Sequence, residues 1–244
     1  MKSWEMLKKT TPMFFCLSKN STQIEEEGMY ISKSNVNHYS CNIAIVENND
    51  PVKQKTLIKK YFNCPGLIIS NEESKKGLDS WVKNENFKYL GKFPLMNKEQ
   101  KNIEVEYKSD KNITISRVSN QKTFKDFFLI FTKLRNLTQK ESVKMFSTKM
   151  FDSNYFLYVA YYNEIPAGIL VSIKVDDALV TIEAGVFEEF QELGIFKMFT
   201  AKSLYDAINN KLYNYSALAT SKISYKVATE YGFKIDGACH IWQK

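Results

Sequence analysis

The sequence predicts an α/β (α+β) protein in two parts, the second built on a mixed, mostly antiparallel sheet flanked by helices. Three observations indicate this fold class. Strand-like runs follow one another after short polar turns at residues 163–164 and 176–177. Helix-like runs precede and follow these strands. A strongly charged stretch at residues 97–112 predicts the join between an N-terminal part, 1–108, and a C-terminal part, 109–244.

The N-terminal part alternates short strands and helices, which is an α/β pattern. Apolar, β-branched clusters predict its strands, and Pro51 stands where the first turn of a helix tolerates proline. Polar runs predict its loops. The predicted elements are loops at 18–28 and 33–40, strands at 42–46 and 67–69, and helices at 52–62 and 74–83.

The C-terminal part begins at residues 113–118, where apolar and polar side chains alternate as in a half-buried strand. The last predicted helix stops at Gly232, a residue type suited to the end of a helix. The predicted elements are, in order, strand 113–118, helices 124–134 and 142–151, strands 155–162, 165–174 and 178–187, loop 188–194, a helix ending near 210, strand 213–219, helix 221–231 and strand 233–242. Apolar residues at helical spacing predict the core face of the helix before 210: Met198, Ala201, Tyr205, Ile208 and Leu212.

Charge and composition argue against several partners. The net charge is +7, but only Arg117 and Arg135 are arginines and the lysines are spread along the chain, so we expect no nucleic-acid partner. No apolar run reaches membrane-spanning length, so we expect no membrane partner. The apolar run 13–17 is too short for a secretory signal core, which predicts a cytoplasmic protein.

The thiols and imidazoles do not predict a metal site. The two histidines, His38 and His240, are far apart in the sequence. We expect reduced and mostly buried thiols at the cysteines, because they show neither close pairing nor metal-like spacing. These cysteines are Cys16, Cys41, Cys64 and Cys239.

One segment carries a chemical signature. Val186 ends a predicted strand, Gln191 follows five residues later, and Gly194 comes three residues after that, just before a helix. The first turn of a helix has backbone N–H groups without intrahelical partners, and its dipole adds a partial positive charge. Glycine lets such a backbone approach a phosphate closely. Residues 186–196 resemble the acyl-CoA signature of the GNAT superfamily of N-acyltransferases; the alternative is an ordinary strand-to-helix turn.

The resemblance implies acetyl-CoA as the acyl donor and gives roles to this segment. The amide of Val186 would hold the thioester carbonyl, and the Gln191 side chain would lie at the mouth of the loop. Two residues depart from the pattern, because Phe196 replaces a small residue and Glu192 adds a carboxylate. The backbone amides implied to bind the pyrophosphate are those of Glu192, Leu193, Gly194, Ile195 and Phe196.

A second segment, residues 217–233, resembles the strand and helix that follow in the same superfamily, with Gly-Phe at its end. Ser221 stands where the family often has an asparagine that contacts CoA. It is also a good helix N-cap, and both roles remain open. The family often carries a tyrosine acid where this chain has Ala228. Tyr225, one turn earlier, is therefore the candidate to protonate the departing thiolate.

Glu183 is the candidate general base. Strand alternation places it on the face opposite Val186 and on the same face as Gly185. From that face its carboxylate could take a proton from the amine, directly or through water. The alternative is a strand glutamate that pairs with a lysine or faces solvent.

The N-terminal part gains an interpretation from the same resemblance. Residues 67–96 resemble the first segment of two-part GNAT proteins, a degenerate copy of the catalytic fold without a phosphate loop. We therefore expect an N-acyltransferase that moves an acetyl or short acyl group from acyl-CoA to an unidentified primary amine. The alternative is a catalytically degenerate protein of this fold that binds acyl-CoA or a protein partner.

Overall fold

The computed structural model of the chain describes residues 2–15, 21–61, 66–99, 107, 110–146 and 151–244. The chain divides into two units. The first comprises Met1–Leu95, Val143–Met150 and Gly237–Lys244, and the second comprises Met96–Ser142 and Phe151–Asp236. The first unit therefore includes two segments from the later part of the chain. More than half of the charged stretch 97–112 lies outside the described residues.

The helices and strands of the described residues follow one another in a mixed order. They are α1 (Ser3–Phe15), β1 (Thr22–Glu26), β2 (Met29–Lys33), β3 (Ile43–Val46), α2 (Pro51–Tyr61), β4 (Leu67–Ser70), α3 (Glu72–Asp79), β5 (Lys88–Glu99), β6 (Ile113–Arg117), α4 (Gln121–Leu134), α5 (Gln139–Met145), β7 (Tyr155–Tyr162), β8 (Ile165–Val175), β9 (Ala178–Val186), α6 (Ile195–Asn209), β10 (Asn214–Leu218), α7 (Lys222–Glu230) and β11 (Lys234–Gln243). Short 3₁₀ turns lie at Tyr39–Cys41, Val82–Glu85 and Glu188–Phe190.

The first unit is built on a mixed sheet with the strand order β1-β2-β3-β4-β11-β5. Strands β3 and β4 are parallel, whereas β2 is antiparallel to β3, and β4 is antiparallel to β11. Strand β3 is buried at all four positions, so a run of apolar residues forms it without alternation. The buried core of this unit contains Met29, Ile31, Ala44, Val46, Leu57, Ile58, Ile68, Leu78, Trp81, Val82, Phe87 and Trp242.

The second unit is built on a sheet with the order β10-β9-β8-β7-β6. All neighbours are antiparallel except β9 and β10, which are parallel. The hairpin turns use residues at positive φ, namely Asn163, Glu164 and Asp176. Helix α4 begins with a capping box at Asn120 and buries Phe127, Ile130 and Phe131. A mixed, mostly antiparallel sheet flanked by helices is therefore confirmed as the fold class.

The structure corrects several local predictions. The loop predicted at 18–28 contains strand β1, which pairs with β2 through a turn at Glu27 and Gly28. Its side chains are mostly exposed, so no apolar pattern marks it. The helix predicted at 74–83 begins at Glu72 and ends at Asp79, and the Ser80 hydroxyl donates to the Gly77 carbonyl at 2.6 Å just beyond its end.

Two further helices differ from their predictions. Helix α1 was not predicted from the sequence. The helix predicted at 142–151 corresponds to α5, which begins at Gln139 and ends at Met145. Residues 147–150 lie outside the described residues. The predicted core face of α6 is correct at Ala201 and Leu212, which are buried, but wrong at Tyr205, which is 40% exposed. Apolar residues occupy several faces of this helix, so spacing alone identified the buried face only in part. Its buried residues are Ile195, Phe199, Ala201, Ser203, Leu204 and Ala207.

Cys41 and Cys239 are buried, as expected, while Cys16 and Cys64 lie outside the described residues. Within the described ranges, no group of His, Cys, Asp and Glu side chains is placed to hold a metal ion. None of the helices that the structure describes combines the length and the apolar character needed to span a bilayer.

Candidate functional site

The candidate site begins where strand β9 loses one of its neighbours. Strand β9 pairs with β10 only from Ala178 to Thr181, but it continues along β8 as far as Val186. Across β8, Thr181 faces Ser172 and Glu183 faces Val171, so Ile182 is the extra residue of a β-bulge. Bulges bend a strand and redirect its side chains. The last residues of β9 therefore have one free edge on the side away from β8.

The backbone of Val186 faces this free edge. The Phe187 N–H donates to the Ala167 carbonyl at 2.9 Å, which makes these two residues a hydrogen-bonded pair. Such pairs alternate along an antiparallel ladder, so the N–H and carbonyl of Val186 point away from β8. The Gln191 side chain donates from Nε2 to the Val186 carbonyl at 3.3 Å and ties the loop to the strand end. The Val186 N–H is left at the open edge.

The loop between β9 and α6 presents unpaired backbone amides. The first helical hydrogen bond of α6 runs from the Met198 N–H to the Gly194 carbonyl at 3.1 Å. None of the five amides from Glu192 to Phe196 has a hydrogen-bond partner among the described residues. Glu192 and Gly194 adopt positive φ values of 68° and 85°, and successive N–H groups in turns of this kind form anion-binding concavities. The N-terminus of α6 is therefore suited to bind an anion.

The space beside Gly194 is open. A Cβ built on Gly194 would meet no atom within 4 Å, so a ligand can approach this backbone. Three carboxylates near this position are exposed, those of Glu188, Glu189 and Glu192. The side chain of Phe196 is partly buried. The loop thus combines donors for an anion with acidic side chains around it.

Glu183 and Gly185 face helix α4. The Glu183 carboxylate forms an ion pair with the Arg135 guanidinium, and the two side chains are 12% and 19% exposed. A Cβ on Gly185 would lie 2.6 Å from Leu134 Cδ1, so α4 packs closely against this strand face. Val186 packs instead against the core that contains Ile195 and Phe199. Glu183 and Gly185 therefore share one face of β9 and Val186 lies on the other, as the sequence predicted.

Helix α7 carries the other two predicted residues. The Ser221 hydroxyl accepts from the Ser224 N–H at 3.0 Å, and the Ser224 hydroxyl accepts from the Ser221 N–H at 3.0 Å, which forms a capping box. Ala228 is buried in the core. Tyr225 is 41% exposed, and its hydroxyl has no partner in the part of the chain that the structure describes. Ser221 is thus occupied as a cap, whereas the Tyr225 hydroxyl is available.

Sequence reasoning missed Arg135 and a chain of hydroxyl groups. Ser172 Oγ lies 2.9 Å from Thr181 Oγ1, which lies 2.6 Å from the Tyr215 hydroxyl. These groups join β8, β9 and β10 where the β9–β10 pairing ends, and burial raises the pKa of Tyr215. The only available signal for Arg135 was its rarity as one of two arginines.

Comparisons with known proteins identify the fold. No protein-family model matches the sequence, and no curated protein matches it. A GCN5-related N-acetyltransferase from Kribbella flavida has a TM-score of 0.68 at 10% identity, with 100% of this chain and 96% of that chain covered. A functionally unknown conserved protein from Staphylococcus epidermidis has a TM-score of 0.63 at 18% identity, covering 92% and 94%.

A tandem GNAT protein from the clavulanic acid biosynthesis pathway is also similar in structure. Its TM-score is 0.56 at 8% identity, and the match covers 96% of this chain and 87% of that chain. At these identities the likeness concerns the fold. The chain therefore has the fold of the GCN5-related N-acetyltransferases, and the tandem neighbour agrees with a two-part organisation.

Proposed function

We propose that this chain is an N-acyltransferase, which moves an acetyl or short acyl group from acyl-CoA to a primary amine by direct attack on the thioester. One observation carries the proposal. Five backbone amides, at Glu192 to Phe196, have no partner among the described residues, and they follow a strand end whose own Val186 N–H faces an open edge. Such an arrangement offers one group of donors for a pyrophosphate and another for a carbonyl oxygen.

The loop would hold the acyl donor by its phosphates. A pyrophosphate needs several donors at once, and the first turn of α6 supplies N–H groups that no other described residue uses. The positive φ of Gly194 and the open space beside it allow the close approach that an anion requires. Gln191 holds the Val186 carbonyl and so fixes the loop relative to the strand.

The transfer itself needs a free amine, a polarised carbonyl and an acid. The amine nitrogen attacks the thioester carbon, the new C–N bond forms, and the C–S bond breaks to release the thiolate. The Val186 N–H would stabilise the negative charge on the carbonyl oxygen. Glu183 would accept the amine proton, since the Arg135 guanidinium favours its ionised form. Tyr225 would protonate the leaving thiolate.

A second candidate function is a non-catalytic protein of this fold that binds acyl-CoA or a protein partner. Three observations favour it. Ala228 occupies the position of the family's tyrosine acid and is buried, and the exposed Glu192 places a negative charge in the phosphate loop. The carboxylate of Glu183 is also engaged by Arg135. Binding without release of free thiol in an amine screen would support this alternative.

The decisive experiment is calorimetric titration of the full chain with acetyl-CoA, first unaltered and then with Gly194 replaced. Gly194→Glu is expected to abolish binding, because it places a carboxylate among the phosphate donors. Gly194→Ala is the matched control, since it carries the same strain at positive φ but meets no atom. Undiminished affinity in a folded Gly194→Glu protein would overturn the loop assignment.

A further inference from the structure

The paired residues of β9 and β10, which we call the seam, end at the candidate site. Four residue pairs form this parallel seam, from Ala178 opposite Asn214 to Thr181 opposite Ala217. Parallel pairing is slightly less stable per residue than antiparallel pairing, and a strand pair opens most easily at its end. A fixed point of separation between β9 and β10 therefore needs support at the Thr181–Ala217 pair.

A row of three hydroxyl groups supplies this support. Thr181 Oγ1 lies 2.9 Å from Ser172 Oγ on β8 and 2.6 Å from the Tyr215 hydroxyl on β10. A hydroxyl has one proton and two lone pairs, so Thr181 can donate to one neighbour and accept from the other. The Thr181 side chain thus links three neighbouring strands at the last paired position of the seam.

The hydroxyl row lies on the sheet face that helix α6 covers. Leu170 and Leu179 belong to the same buried core as Tyr215 and several residues of α6. Ser172 and Thr181 stand two positions after these leucines on the same strands, and side chains two positions apart share a face. The row therefore lies on the side of α6, the helix whose N-terminus carries the proposed phosphate amides.

Burial makes hydroxyl groups costly in this position. Ser172 and Tyr215 are 0% and 3% exposed, and burial raises the pKa of Tyr215, so its phenol stays protonated at neutral pH. An apolar row of the same shape would avoid the desolvation of these groups. Hydrogen bonds add what apolar contacts lack, because each requires a narrow range of lengths and angles and so fixes the spacing of the strands.

The two hydrogen bonds of Thr181 differ in what they hold together. The bond to Ser172 joins β9 to β8, and these two strands stay paired beyond it as far as Val186. The bond to Tyr215 joins β9 to β10, where the pairing of the two strands stops. Only the bond to Tyr215 therefore spans the seam and holds β10 against the strand that carries the Val186 N–H.

We propose that Thr181 and Tyr215 are positioning residues, which fix where β9 separates from β10 and so keep the free edge at Val186 ready for the acyl donor. The inference rests on the proposed function for the identity of the ligand, whereas the strand contact does not depend on it. Without the bond to Tyr215 the seam opens towards Ala178, and only a fraction of the chains holds the competent edge. The affinity for acyl-CoA falls by that fraction.

The first test compares Tyr215→Phe with Ser172→Ala by amide hydrogen exchange of the full chain without ligand. Each variant removes one hydrogen bond of Thr181 and leaves the other, so Ser172→Ala is the matched control. Tyr215→Phe should speed exchange of the seam amides by about three- to tenfold, the effect of one hydrogen bond, and Ser172→Ala should leave the β10 amides within about twofold. Equal exchange of β10 in the two variants would overturn the inference.

The second test titrates the same proteins with acetyl-CoA by calorimetry. Tyr215→Phe is expected to raise the Kd by about three- to tenfold, whereas Ser172→Ala should stay within about twofold of the unaltered chain. Thr181→Ser keeps a hydroxyl and should bind normally, while Thr181→Val keeps the shape without the hydroxyl and should bind as weakly as Tyr215→Phe. If Tyr215→Phe fails to fold, the Thr181 variants decide both tests.

The two tests separate failure of the inference from failure of the proposed function. Faster exchange in Tyr215→Phe with an unchanged Kd would overturn the positioning role and leave acyl-CoA binding intact. An unaltered chain that does not bind acetyl-CoA would contradict the proposed function, and hydrogen exchange would then decide alone whether Thr181 and Tyr215 fix the strand separation.

Discussion

Glu192 places a carboxylate beside the amides that we propose as the phosphate site. Its backbone is in the left-handed region at φ 68°, and its side chain is exposed. The sequence predicted both the loop and this acidic departure from the family pattern, because both are local features. The sequence also indicated the five amides of residues 192–196 as donors, whereas the positive φ of Glu192 depends on how the loop folds.

Glu192→Gln is expected to tighten acetyl-CoA binding by about two- to fivefold, because it removes an exposed negative charge near the phosphates. Calorimetric titration measures the change, which should shrink as salt screens the charges. Glu73→Gln, at an exposed position of α3, alters the net charge equally and should leave the Kd unchanged. Unchanged or weaker binding by Glu192→Gln would mean that this carboxylate does not face the phosphates.

Glu183 is the residue on which catalysis depends most directly in our proposal. The sequence indicated its strand face, but the ion pair with Arg135 joins distant parts of the chain and was not predictable. A guanidinium favours the carboxylate form, which keeps the proposed base ready at neutral pH but makes it a weaker proton acceptor.

Glu183→Gln is expected to lower kcat by about 10²–10³, the contribution of a general base, while the Kd for acetyl-CoA stays within about twofold. Release of free thiol, followed across pH with an amine acceptor found by screening, measures the effect. The pH–rate profiles of the unaltered chain and the variant should differ, because the variant has no carboxylate to accept the amine proton. An identical pH–rate profile would remove Glu183 from the base role.

At the scale of elements, strand β9 and helices α6 and α7 position the site. The sequence predicted all three to within one or two residues, because strand alternation, the loop and the Gly232 stop are local signals. It identified the core face of α6 only in part, since the helix is apolar on several faces and the predicted Tyr205 is exposed. The β-bulge at Ile182 also had no local signal, because a bulge is defined by the partner strand.

Ser221 has two proposed roles, as the N-cap of α7 and as a contact for CoA, and substitutions in its capping box distinguish them. Ser221→Ala is expected to lower the free energy of unfolding by about 0.5–2 kcal/mol, because the Ser224 N–H loses its acceptor. Ser221→Asp should restore most of that stability, and chemical denaturation measures both. Ser153→Ala, in an exposed turn, is the control and should change stability by less than about 0.5 kcal/mol.

The Ser221→Ala and Ser221→Asp variants also test whether the Ser221 side chain contacts bound acyl-CoA. A Ser221→Asp protein with restored stability and normal acetyl-CoA affinity would show that Ser221 acts only as a cap. Weaker binding by the same stable protein would place the side chain near an anion. Unaltered stability in Ser221→Ala would contradict the cap assignment.

At the scale of the whole molecule, binding of the acyl donor should appear as a gain in stability. A ligand that binds only the folded state at about 100 times its Kd raises the free energy of unfolding by about 2.7 kcal/mol. Acetyl-CoA should have this effect, measured by denaturation at increasing ligand concentration. Pantetheine, which lacks the phosphates, should stabilise much less at equal concentration, because it cannot use the amides after Glu192.

The outcome with pantetheine tests which part of the donor the chain holds. Equal stabilisation by pantetheine and acetyl-CoA would contradict a phosphate-binding loop. Stabilisation by acetyl-CoA that persists in Gly194→Glu would place the ligand elsewhere on the chain.

The sequence by itself determined the fold class, most elements of the second unit and the loop between β9 and α6. These features rest on periodicity, turn residues and helix ends, which are properties of neighbouring residues. Tertiary structure alone decided the free edge of β9, the Glu183–Arg135 ion pair and the pairing of the polar strand β1. It also brought Tyr89 to His240 from opposite ends of the chain. Contacts between distant residues depend on the packing of whole elements, and local sequence carries no periodic signal for them.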